Sequence, residues 1–179
     1  MRRGAVTGAL VCGLAGVLLA GPAAAEVQSQ RVFAAKAWTV DVVMFDDGTL
    51  SCMADVNQPA GDSLSVWADA DGAVRLQFFS PGWDLGEGGT ADLEVQIDRR
   101  GPWALTNADL YLQSVLFDLP DSDEGTRFLS EVMRGNTLYL RNDRGEGVQE
   151  HTLAGSSAAI RALIDCVDAL GMPDANPFR

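Results

Sequence analysis

Trp38-Thr39-Val40-Asp41-Val42-Val43-Met44, then Phe45-Asp46-Asp47-Gly48-Thr49, then Leu50-Ser51-Cys52-Met53-Ala54-Asp55-Val56: this stretch decides the fold. Trp38, Val40, Val42 and Met44 alternate with Thr39, Asp41 and Val43, and Leu50, Cys52, Ala54 and Val56 alternate with Ser51, Met53 and Asp55. A period of two puts one set on a buried face and the other on the opposite face of a strand. Asp-Gly between the two runs tolerates positive φ and turns the chain, so the stretch predicts a hairpin.

The same pattern repeats downstream. Leu64, Val66 and Ala68 precede Asp69-Ala70-Asp71-Gly72, and Val74, Leu76 and Phe78 follow it. Residues 81–90, PGWDLGEGGT, are rich in glycine and read as a loop. Alternation returns at Leu93, Val95 and Ile97, stops at Arg99-Arg100-Gly101-Pro102, and resumes in a run from Leu110 to Leu119. Asp121 followed by Glu124 has capping-box spacing and predicts a helix near 121–135, with Phe128, Leu129, Val132 and Met133 on its apolar face. Two further strands are expected at residues 137–142 and 147–153.

A closing helix is capped by Ser156 or Ser157, carries Ile160, Leu163, Ile164, Val167 and Leu170 as its stripe, turns Arg161, Asp165 and Asp168 to water, and stops at Gly171 and Pro173. Eight or nine strands with two late helices make an α+β fold: a β-rich antiparallel sheet or sandwich with the C-terminal helix packed on it. The expected organisation is a signal peptide at 1–25, a lead-in at 26–37, one globular domain at 38–171 and a tail at 172–179.

Outside that domain, the first 25 residues differ in kind. Arg2-Arg3, an apolar run from Ala5 to Ala20 and the ending Ala23-Ala24-Ala25 have the charge, length and small-residue close of a Sec-type signal peptide cut before Glu26. The expected location is therefore periplasmic or secreted, with no transmembrane segment after cleavage. Cleavage also removes Cys12, leaving Cys52 and Cys166 as an even pair that an oxidising compartment joins into a structural disulfide.

The 179 residues are 47% apolar and 21% charged, which suits one globular domain. With 13 basic and 25 acidic residues the net charge is −12, Lys36 being the only lysine, and such a field repels nucleic-acid backbones. Loss of Arg2 and Arg3 with the signal takes the charge from −12 to −14. The partner this favours is a protein or small ligand, basic for preference, since complementary fields speed encounter.

Three sets of residues then resemble a known family. Phe33 with Trp38-Thr39-Val40, the cysteine in Leu50-Ser51-Cys52-Met53-Ala54, and Thr152-Leu153-Ala154-Gly155-Ser156-Ser157-Ala158-Ala159-Ile160 with Leu163 are similar to the invasion-associated locus B family of exported bacterial proteins. The resemblance covers most of the mature chain. It implies a β-rich periplasmic or surface-associated protein without an established enzymatic activity. Members often carry two cysteines near the front, whereas this chain has Cys52 there and Cys166 at the far end.

Catalytic chemistry has few residues to work with. His151 is the only histidine, no nucleophile elbow accompanies it, and it reads as a half-exposed sheet residue. One histidine and two paired cysteines do not furnish a transition-metal site, and no cofactor fingerprint is present. Calcium needs only oxygen ligands, which Asp118, Asp121, Asp123 and Glu124 would supply; the same acids also read as a helix cap. Trp67, Trp83 and Trp103 are candidate contacts for a ligand or partner, or fold back onto the core. Arg99 and Arg100 are either a positive spot for that partner or a solvated turn. The function expected from these readings is an exported binding or accessory protein without a catalytic centre; the alternative is a carboxylate-based hydrolase or a calcium-dependent enzyme of the periplasm.

Overall fold

The computed structural model describes residues 27–171; the expected signal peptide at 1–25 and tail at 172–179 lie outside the described residues. Ten strands and two helices follow in the order β1 (Gln28–Ala35), β2 (Trp38–Met44), β3 (Leu50–Asn57), β4 (Ser63–Asp69), β5 (Val74–Phe79), β6 (Glu87–Ile97), β7 (Trp103–Tyr111), β8 (Ser114–Asp118), α1 (Asp123–Arg134), β9 (Thr137–Asn142), β10 (Gly147–Thr152) and α2 (Ser156–Leu170). All strands join one antiparallel sheet in the order β1-β2-β3-β4-β5-β8-β7-β6-β9-β10. The α+β reading holds, as a single continuous sheet with α2 packed on β1 to β4.

The two hairpins form in the register that their Asp-Gly turns dictate. Val42 lies opposite Cys52 and Val66 opposite Leu76. In the β4–β5 turn the Asp69 and Gly72 N–H groups donate to Ala73 and Asp69 carbonyls, with Gly72 at φ +89°, a conformation that favours glycine. The even-numbered residues so aligned, from Trp38 and Val40 to Leu76 and Phe78, form the buried core with Val95, Ile97, Leu138 and Leu140 of the later strands.

The sheet curls until its last strand, β10, meets β2 and the end of β5. Trp38 Nε1 donates to the Thr152 carbonyl at 3.0 Å, and Gln149 Nε2 to the Phe79 carbonyl at 2.9 Å. Helix α2 closes the structure by laying Ile160, Leu163 and Cys166 on the inner face. Cys166 is bonded to Cys52, with the Cα atoms 6.2 Å apart. The helix begins after Gly155, whose φ of +110° favours glycine and where a Cβ would stand 2.1 Å from the Ala35 carbonyl oxygen.

Several expectations need correcting. The lead-in contains β1, whose residues are mostly exposed and which was hidden by its polar composition, QSQR. The loop ascribed to 81–90 ends early, because β6 starts at Glu87 and absorbs the glycines through shifts of register at Glu87/Gly89 and Ala91/Leu93. The single run from Leu110 to Leu119 is the end of β7 and all of β8, folded at Leu112 and Gln113; Leu112 adopts φ +53°, and its N–H donates to the Gly86 carbonyl. Ser122, and not Asp121, caps α1, its hydroxyl accepting the Glu124 N–H at 3.3 Å. Ser156 does not cap α2; its buried hydroxyl donates to the Val132 carbonyl at 2.8 Å and ties the two helices together. Ile164, assigned to the buried stripe, is 55% exposed because the stripe narrows to Ile160, Leu163 and Cys166.

Candidate functional site

The alternation that buries the even-numbered side chains of β2 to β5 sends the odd-numbered ones to a second face, where they form a polar lattice. Arg31 Nε pairs with Asp41 at 3.1 Å, a hydrogen bond that holds the guanidinium pKa above its ordinary value. Asp55, buried, accepts from both the Thr39 hydroxyl and the Asn57 amide, and Asp69 accepts from the Ser51 hydroxyl. Trp67 Nε1 donates to Gln77 Oε1 at 2.7 Å, and Gln77 Nε2 donates to Ser114 Oγ at 2.8 Å. These bonds orient the Trp67 ring without using its faces.

At one end of this face the lattice opens into a groove of about 640 Å³. Phe45 and Trp67 supply aromatic surface, with ring centroids 6.1 Å apart. Leu116 and Leu119 add apolar surface, and Asp69, Asp118 and Asp121 line it together with Arg75. Arg75 grips Asp118 through two bonds, Nε to Oδ1 at 2.5 Å and Nη2 to Oδ2 at 3.0 Å. Those bonds raise the Arg75 pKa and hold the Asp118 carboxyl below its ordinary value. Both side chains remain about half exposed, so the pair adds little stability and stays within reach of a ligand.

Of the residues singled out from the sequence, Trp67, Asp118 and Asp121 meet in this groove. Trp103 does not: its N–H donates to Glu131 at 3.0 Å, its ring packs edge-on to Phe128 at 5.4 Å, and Arg127 lies 4.7 Å above it, so it anchors α1 to β7. Trp83 is half-buried against the core. Arg99 is exposed in the β6–β7 turn, while Arg100 donates to the Glu131 carbonyl at 3.2 Å. Asp123 and Glu124 occupy the first turn of α1, where the helix dipole favours acids. Among the described residues, no group of three or more His, Cys, Asp or Glu is arranged to hold a metal ion.

Sequence reasoning missed Phe45, Asp69, Arg75, Gln77, Leu116 and Leu119 as site residues. A signal existed for two of them: the Asp69–Gly72 turn fixes Trp67 opposite Arg75, and Gln77 follows two residues on, on the same face. His151, expected to be half exposed, is 0% exposed. It lies in the core near Phe78, its ring nitrogens facing Gln149 Oε1 at 3.0 Å and Gln58 Nε2 at 3.4 Å. Burial pushes its pKa down to about 4.

With this geometry in place, comparison with known proteins is informative on one point. The sequence matches no family model and no curated protein. The fold is similar to that of invasion associated protein B from Bartonella henselae. The TM-score is 0.51, at 16% identity, over 77% of this chain and 96% of the Bartonella chain. Invasion associated protein B thus shares the architecture that Trp38, Cys52 and the Thr152–Ile160 segment point to in the sequence. At that identity the likeness carries the fold alone.

Proposed function

We propose that this protein is exported to the periplasm or envelope and acts there as a binding or accessory protein without a catalytic centre, receiving its partner in the groove around Trp67. The observation that carries this reading is the groove itself: an aromatic and charged recess whose principal side chains are fixed by the hydrogen-bonded sheet beneath. The residues that usually carry general-base and thiol chemistry are committed elsewhere. His151 is sealed in the core with a pKa near 4, and Cys52 and Cys166 are bonded to each other.

Export is supported by the signal-like residues 1–25 and by the long-range disulfide, which an oxidising compartment preserves. Among the described residues no helix is long and apolar enough to cross a membrane.

Site-specific photocrosslinking in intact cells tests the proposal. A photoreactive residue at Ala73, on the groove, is expected to give one discrete adduct, recovered from the periplasmic or envelope fraction with Glu26 as the first residue. The same probe at Arg161, on the exposed side of α2, is expected to give none. Equal labelling from both positions, or a cytoplasmic protein that keeps Met1, overturns it.

A further inference from the structure

The groove's walls carry more information than its existence, and the inference that follows rests on the binding reading above. Its titratable lining is three aspartates, Asp69, Asp118 and Asp121, against one arginine, and Arg75 already spends its guanidinium on Asp118. The two hairpin turns at the same end of the sheet add Asp46, Asp47 and Asp71, and the whole chain carries −12. An anion would enter against all of these charges; a cation would enter with them. The floor agrees, because the faces of Trp67 and Phe45 attract a positive group by their quadrupoles, and the Trp67 N–H is already taken by Gln77.

The dimensions set the size of the occupant. The groove crosses β3, β4, β5 and β8, four neighbours in the sheet. At about 4.8 Å between strands that is roughly 14 Å, the span of about four extended residues. A single cationic side chain leaves most of the 640 Å³ unfilled. A short extended segment fills it, laying its basic side chains toward the aspartates and its apolar ones on Leu116 and Leu119.

We infer that the groove receives an extended basic segment of a partner polypeptide, with an arginine or lysine held between Trp67 and the aspartates Asp69, Asp118 and Asp121. The test uses the protein purified as the cell produces it and a blocked pentapeptide, Arg-Leu-Arg-Leu-Arg, followed by the indole and amide resonances of the isotopically labelled protein. The controls are the same peptide with citrulline for arginine, and spermidine.

The arginine peptide is expected to move the Trp67 indole N–H and the Phe45, Ala73 and Leu116 amides, and to bind more weakly as salt rises. Trp67→Ala should weaken it by about tenfold. Asp121→Lys, on an exposed residue that supports no element, should weaken it at least as much and guards against a folding defect in the tryptophan variant. Equal binding of the citrulline peptide overturns the cationic inference while leaving the groove as a binding site. Equal binding of spermidine overturns the polypeptide occupant. Binding that neither substitution weakens places the peptide elsewhere and overturns the inference. Failure of both peptides while the Ala73 crosslink persists overturns this inference alone; failure of the crosslink as well removes the binding reading beneath it.

Discussion

On one face of the sheet, Val40, Ala54, Val66 and Leu76 lie side by side across β2, β3, β4 and β5. One residue away on the other face, the same four strands present Thr39, Asp55, Ser65 and Gln77. The first row is apolar throughout and gains its stability from removal from water. The second holds its members by directed bonds, such as Thr39 to Asp55 and Gln77 to Trp67, whose net worth is small but whose geometry is definite. Stability and recognition are thus separated by a single residue step along each strand.

If that separation is real, the largest loss comes from the inner face. Replacing Cys52 and Cys166 together by alanine is expected to lower stability by about 4–5 kcal/mol, from the loop entropy that the bond removes from the unfolded chain. Guanidinium melts of the variant and of the reduced protein should agree, and alkylation of the unreduced denatured protein should add no mass. A sharper comparison uses neighbours. Leu76→Ala should cost about 3 kcal/mol, whereas Gln77→Ala should cost about 1 kcal/mol and act mainly on the Trp67 indole signal. Equal costs would break the division between the faces.

His151 supplies a test by pH. Its folded pKa, about 4, lies below the ordinary 6.5, so between those values the unfolded state binds the additional proton. Its contribution is therefore complete above pH 6.5 and is lost as pH falls toward 4, by roughly 3 kcal/mol at most. His151→Gln should flatten the dependence of denaturant midpoint on pH over that window, whatever it does to the midpoint at neutrality. On the outer face, Arg75→Gln should change stability by less than about 1 kcal/mol, because its partner is also exposed. The smallest effect is expected from calcium: since Asp118 is gripped by Arg75 and the acids do not converge, millimolar calcium should leave the melting temperature unchanged, and an upward shift would revive the calcium reading.

The two halves of the sheet were unequally legible. In β2 to β5 the alternation is regular and each turn carries Asp-Gly or Gly, so pairing is local and the sequence prescribes it. In β6 to β8 the decisive residues have no such marks. Leu112 and Asn107 take positive φ without being glycine, and Ala91/Leu93 hides a shift of register. The candidate site inherits this division. Trp67 and its opposite number Arg75 follow from one hairpin, but Asp118 joins them only because β8 returns to β5 after β6 and β7 have been laid beyond it. No local pattern encodes that step. The buried state of His151 was illegible for the same reason, since it needs β10 to curl back toward Phe78.

The Cys52 to Cys166 bond also makes the protein a covalent ring with a tail at each end. Residues separated by 114 positions are joined, so β4 through β10, α1 and most of α2 lie inside the closed loop, while β1 and β2 hang outside it. A protease that cuts once in any turn between those cysteines opens the ring without releasing a fragment. Under non-reducing conditions the nicked chain remains one covalent species, and only a cut before Cys52 or after Cys166 sets a piece free. A single cut at most positions of the described chain therefore leaves it in one covalent piece.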